Sequence, residues 1–452
     1  MLFTTNWIST IFRNYSGVAE DTIQINEVVT DSRTRSSKSL FIPIVGENFD
    51  GHDFIKQAFD NGAVATIWNK NKELPSFLPT EFPVFFVDDT LRALQGLAAA
   101  YRKEIDPVVI GITGSNGKTT TKDLIASVMK SSYKTHATNG NFNNEIGLPL
   151  TVLAMDRKTE VLVLEMGMSN FGEIERLSKI ALPDYAVITN IGESHIEYLG
   201  SREGIAKAKS EIVTGMTGNG YLLIDGDEPL LSAFHSKDRV IRCGFNTGNT
   251  VEINQVKISQ DHTGFVLADG ASYSVPLLGS HHALNATFAI TLAKLMSIDS
   301  GVIQQALSSL QLTSMRFEMV SGRNDVSIIN DAYNASPTSM KAAIDVVKQM
   351  SGFSTKILVL GDILELGEHA QSFHESIADV IDDSVSVLFT LGDQAKSINK
   401  KVTAMENGVV CKHFSTKEEL AHGLEFYLNK DTLVLFKASR GMQFEKIIDK
   451  IK

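Results

Sequence analysis

The chain has 452 residues, and its content of 43% hydrophobic and 21% charged residues is that of an ordinary soluble globular protein. At roughly 150 residues per domain, this length predicts two or three domains. The formal net charge is −11, from 42 Lys and Arg against 53 Asp and Glu, and it argues against a surface that binds nucleic acid.

Cysteine and hydropathy patterns indicate the compartment. Cys243 and Cys411 have no metal-ligand spacing and predict no disulfide framework, which suits a reducing environment. The N-terminus shows no basic region followed by a long apolar core, and no apolar run approaches the roughly 20 residues of a membrane span. We therefore expect a cytoplasmic protein that does not insert into membranes.

Residues 1–82 predict a small α/β domain. Strands are expected at 40–45 and 63–67, with a helix that begins at Asp53 and ends near Gly62. The segment 74–83 contains three prolines and is predicted to be a linker to the next domain.

Residues 108–123 predict a polyphosphate site. A β-branched apolar strand, 108–112, is followed by a Gly-rich turn and then by Lys118, Thr119 and Thr120 at the start of a helical pattern. Backbone N–H groups of such a turn converge on an anion, and the helix N-terminus adds partial positive charge. The lysine supplies a cation for the terminal phosphates, and a threonine hydroxyl can bind Mg²⁺.

The glycine spacing of this loop is unusual. The general pattern places a glycine five residues before the glycine of Gly-Lys, where this chain has Ile112, and Gly114 lies three residues before instead. The loop T-G-S-N-G-K-T-T is therefore a variant of the common phosphate-binding loop.

Residues 83–312 alternate strand and helix patterns and predict a central domain with a parallel sheet. Glu165 ends the apolar run 161–164, and His195 lies six residues after the run 186–189. Ligands of open parallel sheets lie beyond the carboxyl ends of the strands, so both residues are candidates for a metal or general-base role at the edge that carries the glycine loop. The spacing around Lys207 and Lys209, in a helix over 202–213, predicts only a solvent-facing pair.

Two further regions complete the pattern. Short strands and turns fill 220–280, and His281 and Asn285 lie four apart near the start of a helix over 277–293. Residues 313–452 predict a third, doubly wound α/β domain with strands at 327–329, 356–360, 385–391 and 432–436. No G-x-G-x-x-G follows any of these strands, so this Rossmann-like domain lacks a nicotinamide or flavin fingerprint.

Together these motifs resemble the Mur ligase family along the whole chain. The resemblance comprises D-S-R with L-F-I-P-I-V-G-E-N-F-D-G-H-D-F-I, then T-G-S-N-G-K-T-T, N-G-N-F-N-N-E-I-G-L-P, L-E-M-G-M, N-I-G-E-S-H, A-K-A-K-S-E, N-D-A-Y-N-A-S-P-T-S-M, L-G-D-I-L-E-L-G and K-A-S-R-G-M. Two of them, Y-N-A-S-P-T-S-M and G-D-I-L-E-L-G-E, are similar to the members that add D-alanyl-D-alanine rather than diaminopimelate or lysine.

The resemblance implies a ligase that activates a carboxylate with ATP as an acyl phosphate and lets an amine attack it. Its substrates would be UDP-N-acetylmuramoyl-tripeptide and D-alanyl-D-alanine, in peptidoglycan precursor synthesis. Catalysis would then depend on charge neutralisation at the phosphoryl group.

The resemblance also assigns roles in the central domain. Lys118 would hold the β- and γ-phosphates, Thr119 one Mg²⁺, and Glu165 and His195 a second Mg²⁺. Lys209 matches the lysine that is carbamylated in several relatives. The remaining ATP-binding positions of the loop would be Gly114, Ser115, Asn116, Gly117 and Thr120.

Outside the loop, the assignments cover all three domains. His281 and Asn285 resemble the adenine-side helix, although His282 stands where the family usually has Asn. The others are Arg316 for the γ-phosphate, Asp331 for the ribose, Tyr333 and Asn334 beside the base, and Ser32 and Arg33 for the UDP group. A hinge near 312–316, with open and closed forms, would let the third domain close on ATP and bind the incoming dipeptide.

Other interpretations remain open. A relative with another acceptor, such as the diaminopimelate- or lysine-adding enzyme or a folate polyglutamylating ligase, would be favoured if single amino acids drove phosphate release. A P-loop switch or catalytically silent partner predicts nucleotide binding without an amide product. The sequence does not choose between lysine and diaminopimelate in the tripeptide, and a monomer is the simplest expectation.

Overall fold

The computed structural model describes residues 1–259, 261–310, 313 and 315–452. Its first unit contains β1 (Phe3–Thr4), α1 (Thr5–Ile11), β2 (Tyr15–Ser16), β3 (Gln24–Ile25), β4 (Glu27–Val29), β5 (Ser39–Phe41), α2 (Ile55–Asp60), β6 (Ala63–Asn69), β7 (Val84–Val87) and α3 (Thr90–Ile105). Five of these strands form a sheet in the order β2-β7-β6-β5-β4, in which β4 to β7 are parallel.

The pairing of β7 corrects the first domain boundary. Because β7 pairs with β6 in this sheet, the proline-rich segment 74–83 is a loop between neighbouring strands, and a boundary at residue 82 would cut the sheet. The strand expected at 40–45 likewise ends at Phe41. We place the boundary within α3, whose Leu97 and Tyr101 are fully buried in a core shared with both the first and the second unit.

The central unit follows α3. It contains β8 (Val108–Thr113), α4 (Lys118–Lys130), β9 (Thr135–Ala137), α5 (Gly147–Leu153), β10 (Val161–Glu165), α6 (Glu173–Ala181), β11 (Tyr185–Ile188), α7 (Ile196–Leu199), α8 (Arg202–Ser210), β12 (Tyr221–Asp225), β13 (Val240–Gly244), β14 (Val251–Ile258), β15 (Thr263–Leu267), β16 (Ser272–Val275), α9 (His281–Leu295) and α10 (Ser300–Ser308).

Nine of the described strands form the central sheet, in the order β16-β15-β14-β13-β12-β11-β8-β10-β9. The strands from β8 to β14 pair in parallel, and β15 and β16 continue antiparallel. Apolar β-branched residues of β8 are buried on both faces, as the continuous run predicted, because helices cover both sides. The carboxyl ends of β8, β10, β11 and β12 therefore share one edge.

The third unit contains β17 (Glu318–Ser321), β18 (Ser327–Asn330), α11 (Pro337–Gln349), β19 (Thr355–Gly361), α12 (Ala370–Ile377), β20 (Val387–Leu391), α13 (Ala395–Ala404), β21 (Val410–Phe414), α14 (Lys417–Leu424), β22 (Thr432–Lys437) and α15 (Glu445–Ile451). Six described strands form a sheet in the order β17-β18-β22-β19-β20-β21, parallel except for β17. The predicted α/β class with a doubly wound third domain is confirmed.

Two strands of the third unit were not predicted. β17 and β21 are edge strands, and the exposed positions in each interrupt the apolar run that identifies the inner strands. The boundary expected at residue 312 lies outside the described residues, and so do residues 312 and 314 of the hinge expected at 312–316. Within the described part of the chain, no helix combines the length and apolar character needed to cross a bilayer.

Candidate active site

The glycine loop joins β8 to α4. Gly114 has φ 149°, and a Cβ added there would lie 1.8 Å from the Thr189 hydroxyl oxygen of the neighbouring strand connection. Gly117 has φ 76°, and a Cβ added there would lie 3.1 Å from Asn285 Oδ1. The unusual glycine spacing therefore follows from close packing against two other segments, as well as from the need for accessible backbone N–H groups.

Lys118 is folded back onto this loop. Its Nζ donates a hydrogen bond to the Gly114 carbonyl oxygen at 2.8 Å. Desolvation lowers the pKa of the Lys118 amine, and the nearby Glu165 carboxylate acts in the opposite direction. The amine is thus held beside the N-terminus of α4, where terminal phosphates would bind.

Glu165 provides a carboxylate oxygen that suits a cation. It ends β10 and is 2% exposed, and its Oε1 accepts a hydrogen bond from Asn143 Nδ2 at 2.8 Å. Its other oxygen, Oε2, is buried without a hydrogen-bond partner among the described residues. A buried, unpartnered carboxylate oxygen is costly unless a cation or a donor binds it, and oxygen is the ligand that Mg²⁺ prefers.

The donor set around Glu165 fits a magnesium ion that keeps phosphate and water ligands. Thr119 lines the same cavity, and its hydroxyl accepts a hydrogen bond from Arg316 Nη2 at 3.2 Å, which leaves a lone pair. His195 lies at the same rim, with its Nδ1 2.5 Å from Glu365 Oε2 of the third unit. The described residues contain no cluster of three or more His, Cys, Asp or Glu arranged for a metal.

Lys209 does not face solvent, so that part of the spacing-based prediction is wrong. Its side chain lies on α8 and is only 2% exposed, whereas Lys207 on the same helix is exposed over the Phe171 ring. Burial, and then the positive charge of Lys118, lower the pKa of Lys209 well below its usual value. A buried amine near a second cation favours the neutral form or a modification that reverses its charge.

Residues of the third unit close the cavity. The Arg316 guanidinium lies 4.0 Å from the centre of the Tyr333 ring, and Lys437 Nζ lies 2.5 Å from Asp331 Oδ2. Lys437 also donates to the Asn334 carbonyl oxygen at 3.3 Å, which fixes the segment 331–334. Lys437 was missed as a site residue, although it begins the quoted motif K-A-S-R-G-M.

The start of α9 forms another wall. His281 and His282 have ring centres 4.0 Å apart, and both line the cavity with Asn285. Desolvation lowers the pKa of buried His282 well below its usual value, and it lowers the pKa of His281, which is exposed towards the open cavity, to about 4. Both imidazoles are therefore neutral at pH 7 and can each offer one donor and one acceptor to a bound base.

A cavity of about 800 Å³ unites these residues. Among the predicted residues, it is lined by Ser115, Asn116, Gly117, Lys118, Thr119, Thr120, Glu165, His195, His281, Asn285, Arg316, Asp331, Tyr333 and Asn334. Gly114 and Lys209 are not among the residues that line it.

Ser32 and Arg33 are not brought to this cavity. The Ser32 hydroxyl donates to Gln57 Oε1 at 2.7 Å, and Arg33 forms an exposed ion pair with Asp31. Both remain in the N-terminal unit, apart from the phosphate loop.

Several lining residues were not predicted. Asn143 and Asn144 belong to the quoted motif N-G-N-F-N-N-E, but nothing in the letters distinguishes amides that hold a carboxylate from amides of an ordinary turn. Glu193 accepts hydrogen bonds from Thr338 Oγ1 at 2.8 and 3.0 Å and so joins the central and third units. Such contacts between distant segments leave no local pattern in a single sequence.

Sequence models of known families cover most of the chain. The model "Mur ligase family, catalytic domain" matches residues 24–102, "Mur ligase middle domain" matches 112–293, and "Mur ligase, glutamate ligase domain" matches 315–440. The chain belongs to the Mur ligase family. The predicted resemblance is confirmed, and the third match begins at residue 315, within the segment 312–316 in which a hinge is expected in this Mur ligase.

Curated relatives match this Mur ligase over nearly its full length. It is 46% identical over 427 residues to the UDP-N-acetylmuramoyl-tripeptide–D-alanyl-D-alanine ligase of Bacillus subtilis, covering 94% of this chain and 92% of that protein. A ligase of the same name from Synechocystis is 34% identical over 441 residues, covering 96% and 94%.

Solved structures of two MurF proteins are similar to this chain along nearly its whole length. The crystal structure of MurF from Acinetobacter baumannii matches with a TM-score of 0.86 at 29% identity, covering 99% of this chain and 98% of that one. MurF ligase from Thermotoga maritima, solved in complex with ADP, matches with a TM-score of 0.83 at 29% identity, covering 95% and 98%.

Proposed function

We propose that this Mur ligase joins D-alanyl-D-alanine to UDP-N-acetylmuramoyl-tripeptide in an ATP-dependent reaction of peptidoglycan precursor synthesis. The observation that carries the proposal is the single cavity in which the phosphate loop, Glu165 and the third-unit residues Arg316 and Asp331 meet. It is supported by near full-length similarity to relatives that bear this ligase name.

The reaction has two steps. A carboxylate oxygen of the tripeptide attacks the γ-phosphorus of ATP, which forms an acyl phosphate and releases ADP. The amine of the dipeptide then attacks the acyl carbon, loses a proton and expels inorganic phosphate, which leaves an amide. Both steps move negative charge between oxygens, so positioned cations stabilise them more than acid–base groups do.

This chain supplies those cations from two units. Lys118 lies beside the N-terminus of α4, and Arg316 reaches Thr119 from the third unit, so the two bracket the position of the terminal phosphates. Glu165, Thr119 and His195 would hold Mg²⁺, which neutralises phosphate charge when bound. Asp331, held by Lys437, would accept hydrogen bonds from the ribose, and the neutral His281 with Asn285 would face the base.

We also propose that Lys209 is carbamylated. Its neutral amine would add to carbon dioxide and lose a proton, which turns a buried amine into an anion. That anion would attract Lys118, whose charge opposes protonated Lys209. NMR of the enzyme in ¹³C-labelled bicarbonate should show a carbamate resonance that is absent in Lys209→Met, and its absence from the unsubstituted enzyme would contradict the modification.

The remaining assignments concern the ends of the substrate. We propose that Ser32 and Arg33 bind the UDP group on the N-terminal unit, and that the third unit moves about a hinge near 312–316 to close on ATP. A monomer without nucleic-acid partners is the simplest arrangement. Small-angle scattering should show a smaller radius of gyration with an ATP analogue and the tripeptide substrate, and an unchanged radius would count against closure.

Phosphate release tests the function directly. With ATP and UDP-N-acetylmuramoyl-tripeptide, D-alanyl-D-alanine should drive release, whereas single amino acids such as lysine, diaminopimelate or glutamate should not. Lys118→Ala should abolish turnover, and Lys207→Ala, which removes an exposed amine outside the cavity, should leave it unchanged. Release driven equally by single amino acids would contradict the proposed acceptor.

A further inference from the structure

A carboxylate of the third unit lies against His195. Glu365 Oε2 is 2.5 Å from His195 Nδ1, and the Glu365 carbonyl oxygen accepts a hydrogen bond from the Glu197 N–H at 3.3 Å. A Cβ built on Gly367 would lie 3.3 Å from Glu197 Cγ, so the backbone of that loop also packs here. The segment 365–367 is thus seated on the loop that carries His195 by side-chain and backbone contacts together.

Both members of the contact have an uncommon backbone conformation. His195 has φ 63° and Glu365 has φ 61°, in the left-handed region that few residues other than Gly adopt; Asn, Asp and His adopt it more often than Glu does. Such conformations persist where surrounding contacts determine them. Their occurrence on both sides of one contact indicates a built arrangement rather than a chance approach of two surface loops.

The contact has a specific chemical consequence. A carboxylate without a proton can only accept a hydrogen bond, so the imidazole nitrogen beside it carries the hydrogen. In neutral imidazole the other nitrogen, Nε2, then has the free lone pair that a metal ligand requires. Metal-binding histidines commonly donate their second N–H to a carboxylate. Glu365 Oε2 lies at ion-pair distance from His195 Nδ1, which has no other hydrogen-bond partner among the described residues, so a small rotation of either side chain would complete this donation.

We infer that Glu365 is a positioning residue, which fixes the tautomer and ring orientation of His195 from the opposite domain and so prepares Nε2 to bind the metal ion. This inference rests on the proposed metal role of His195. It also gives a purpose to the motif G-D-I-L-E-L-G-E, to which no role was assigned from the sequence. Since His195 belongs to the central unit and Glu365 to the third, docking of the third unit and metal affinity are coupled.

Two measurements on the full-length enzyme test the inference. ¹⁵N NMR of histidine-labelled protein, at a pH where His195 is neutral, reports which ring nitrogen carries the hydrogen, with His195→Asn used to assign the resonances. Electron paramagnetic resonance with Mn²⁺ and a non-hydrolysable ATP analogue reports the metal dissociation constant. Glu368, an exposed residue on the same loop, provides the matched control.

In the unsubstituted enzyme, His195 should carry its hydrogen on Nδ1. Glu365→Ala should shift the hydrogen towards Nε2 and weaken Mn²⁺ binding about 10-fold, within the range found for outer-sphere partners of metal ligands. Glu365→Gln, whose amide oxygen still accepts, should largely restore both properties, and Glu368→Ala should change neither.

The outcomes separate this inference from the proposed function. An unchanged tautomer and Mn²⁺ affinity in Glu365→Ala would overturn the positioning role while leaving the ligase assignment intact. Unchanged Mn²⁺ affinity in His195→Asn would instead overturn the metal role of His195, and the inference with it.

Discussion

The buried ion pair between Lys437 and Asp331 allows a quantitative test of the cavity wall. The side chains are 3% and 16% exposed, and Nζ lies 2.5 Å from Oδ2. Removing one partner of a buried pair typically costs about 3–5 kcal/mol, because the other charge stays desolvated. Asp331 keeps one hydrogen bond, from the Phe317 N–H at 3.2 Å, so we expect the lower limit.

Lys437→Met keeps the apolar stem and removes the charge, and it should lower the free energy of unfolding by about 3 kcal/mol. Urea unfolding followed by circular dichroism measures this loss, and isothermal titration should show weaker ATP binding because Asp331 loses its orientation. The control is Lys401→Met, since Lys401 lies 2.7 Å from Asp379 in a pair whose side chains are 39% and 59% exposed. That variant should cost less than about 1 kcal/mol.

A double-mutant cycle with Asp331→Asn assigns the loss to the pair. The double variant should be more stable than Lys437→Met alone, because it leaves no unpaired buried charge. If Lys437→Met cost no more than Lys401→Met, or if the two substitutions were additive, the interpretation of this pair as a buried support of the site would be refuted.

Three further predictions concern the loop, the sheet edge and the domain contact. Gly114→Ala should disrupt the phosphate loop, lower the free energy of unfolding measured by thermal denaturation by roughly 2 kcal/mol or more, and reduce activity. The control is Gly96→Ala, in open space on α3, which should raise the free energy of unfolding by up to about 1 kcal/mol. Burial raises the pKa of Asp225 from 3.8 to about 6, so ionisation of this carboxyl costs the folded state more than the unfolded state. The free energy of unfolding of the unsubstituted protein should therefore fall between pH 4 and 6, and Asp225→Asn should become the more stable protein over that range by a margin that stays constant at higher pH. Parallel profiles of unfolding free energy against pH would refute this. Ser336→Ala removes the N-cap of α11 and a 2.8 Å hydrogen bond to Asn116 Oδ1. It should lower the free energy of unfolding by about 1–2 kcal/mol and raise the KM for ATP. An unchanged KM would show that the contact plays no part in ATP binding.

Local patterns predicted the parts of the site that depend on local physics. The strand, glycine turn and helix around Lys118 follow from neighbouring residues, and Glu165 followed from its place at the end of a buried strand. These positions share an edge because parallel strands of one sheet end together, and the cavity confirms that inference.

Other features depend on contacts that spacing does not encode. Lys209 is buried although the sequence of its helix predicts a solvent-facing position, because Glu211–Gly215, Pro229–Phe234 and the helices α6 and α7 pack against α8. The prolines of 74–83 suggested a linker, yet β7, which follows them, pairs with β6, which precedes them, so they form a loop within one sheet. Glu365 reaches His195 across a domain interface, which no local pattern reports.

Helix α3 has a consequence for the length of the substrate. Tyr101 Oη donates a hydrogen bond to the Met155 carbonyl oxygen at 3.0 Å, and buried Arg102 donates one to the Ala181 carbonyl oxygen at 2.8 Å. These bonds fix the helix that ends the N-terminal unit to the central unit. The site proposed for UDP and the phosphate loop then stand a constant distance apart, and the peptide stem must span that gap. This fixed distance should act as a molecular ruler. A substrate with a tripeptide stem should react, whereas stems one residue shorter or longer should show a lower kcat, because their carboxylates would not reach the γ-phosphate.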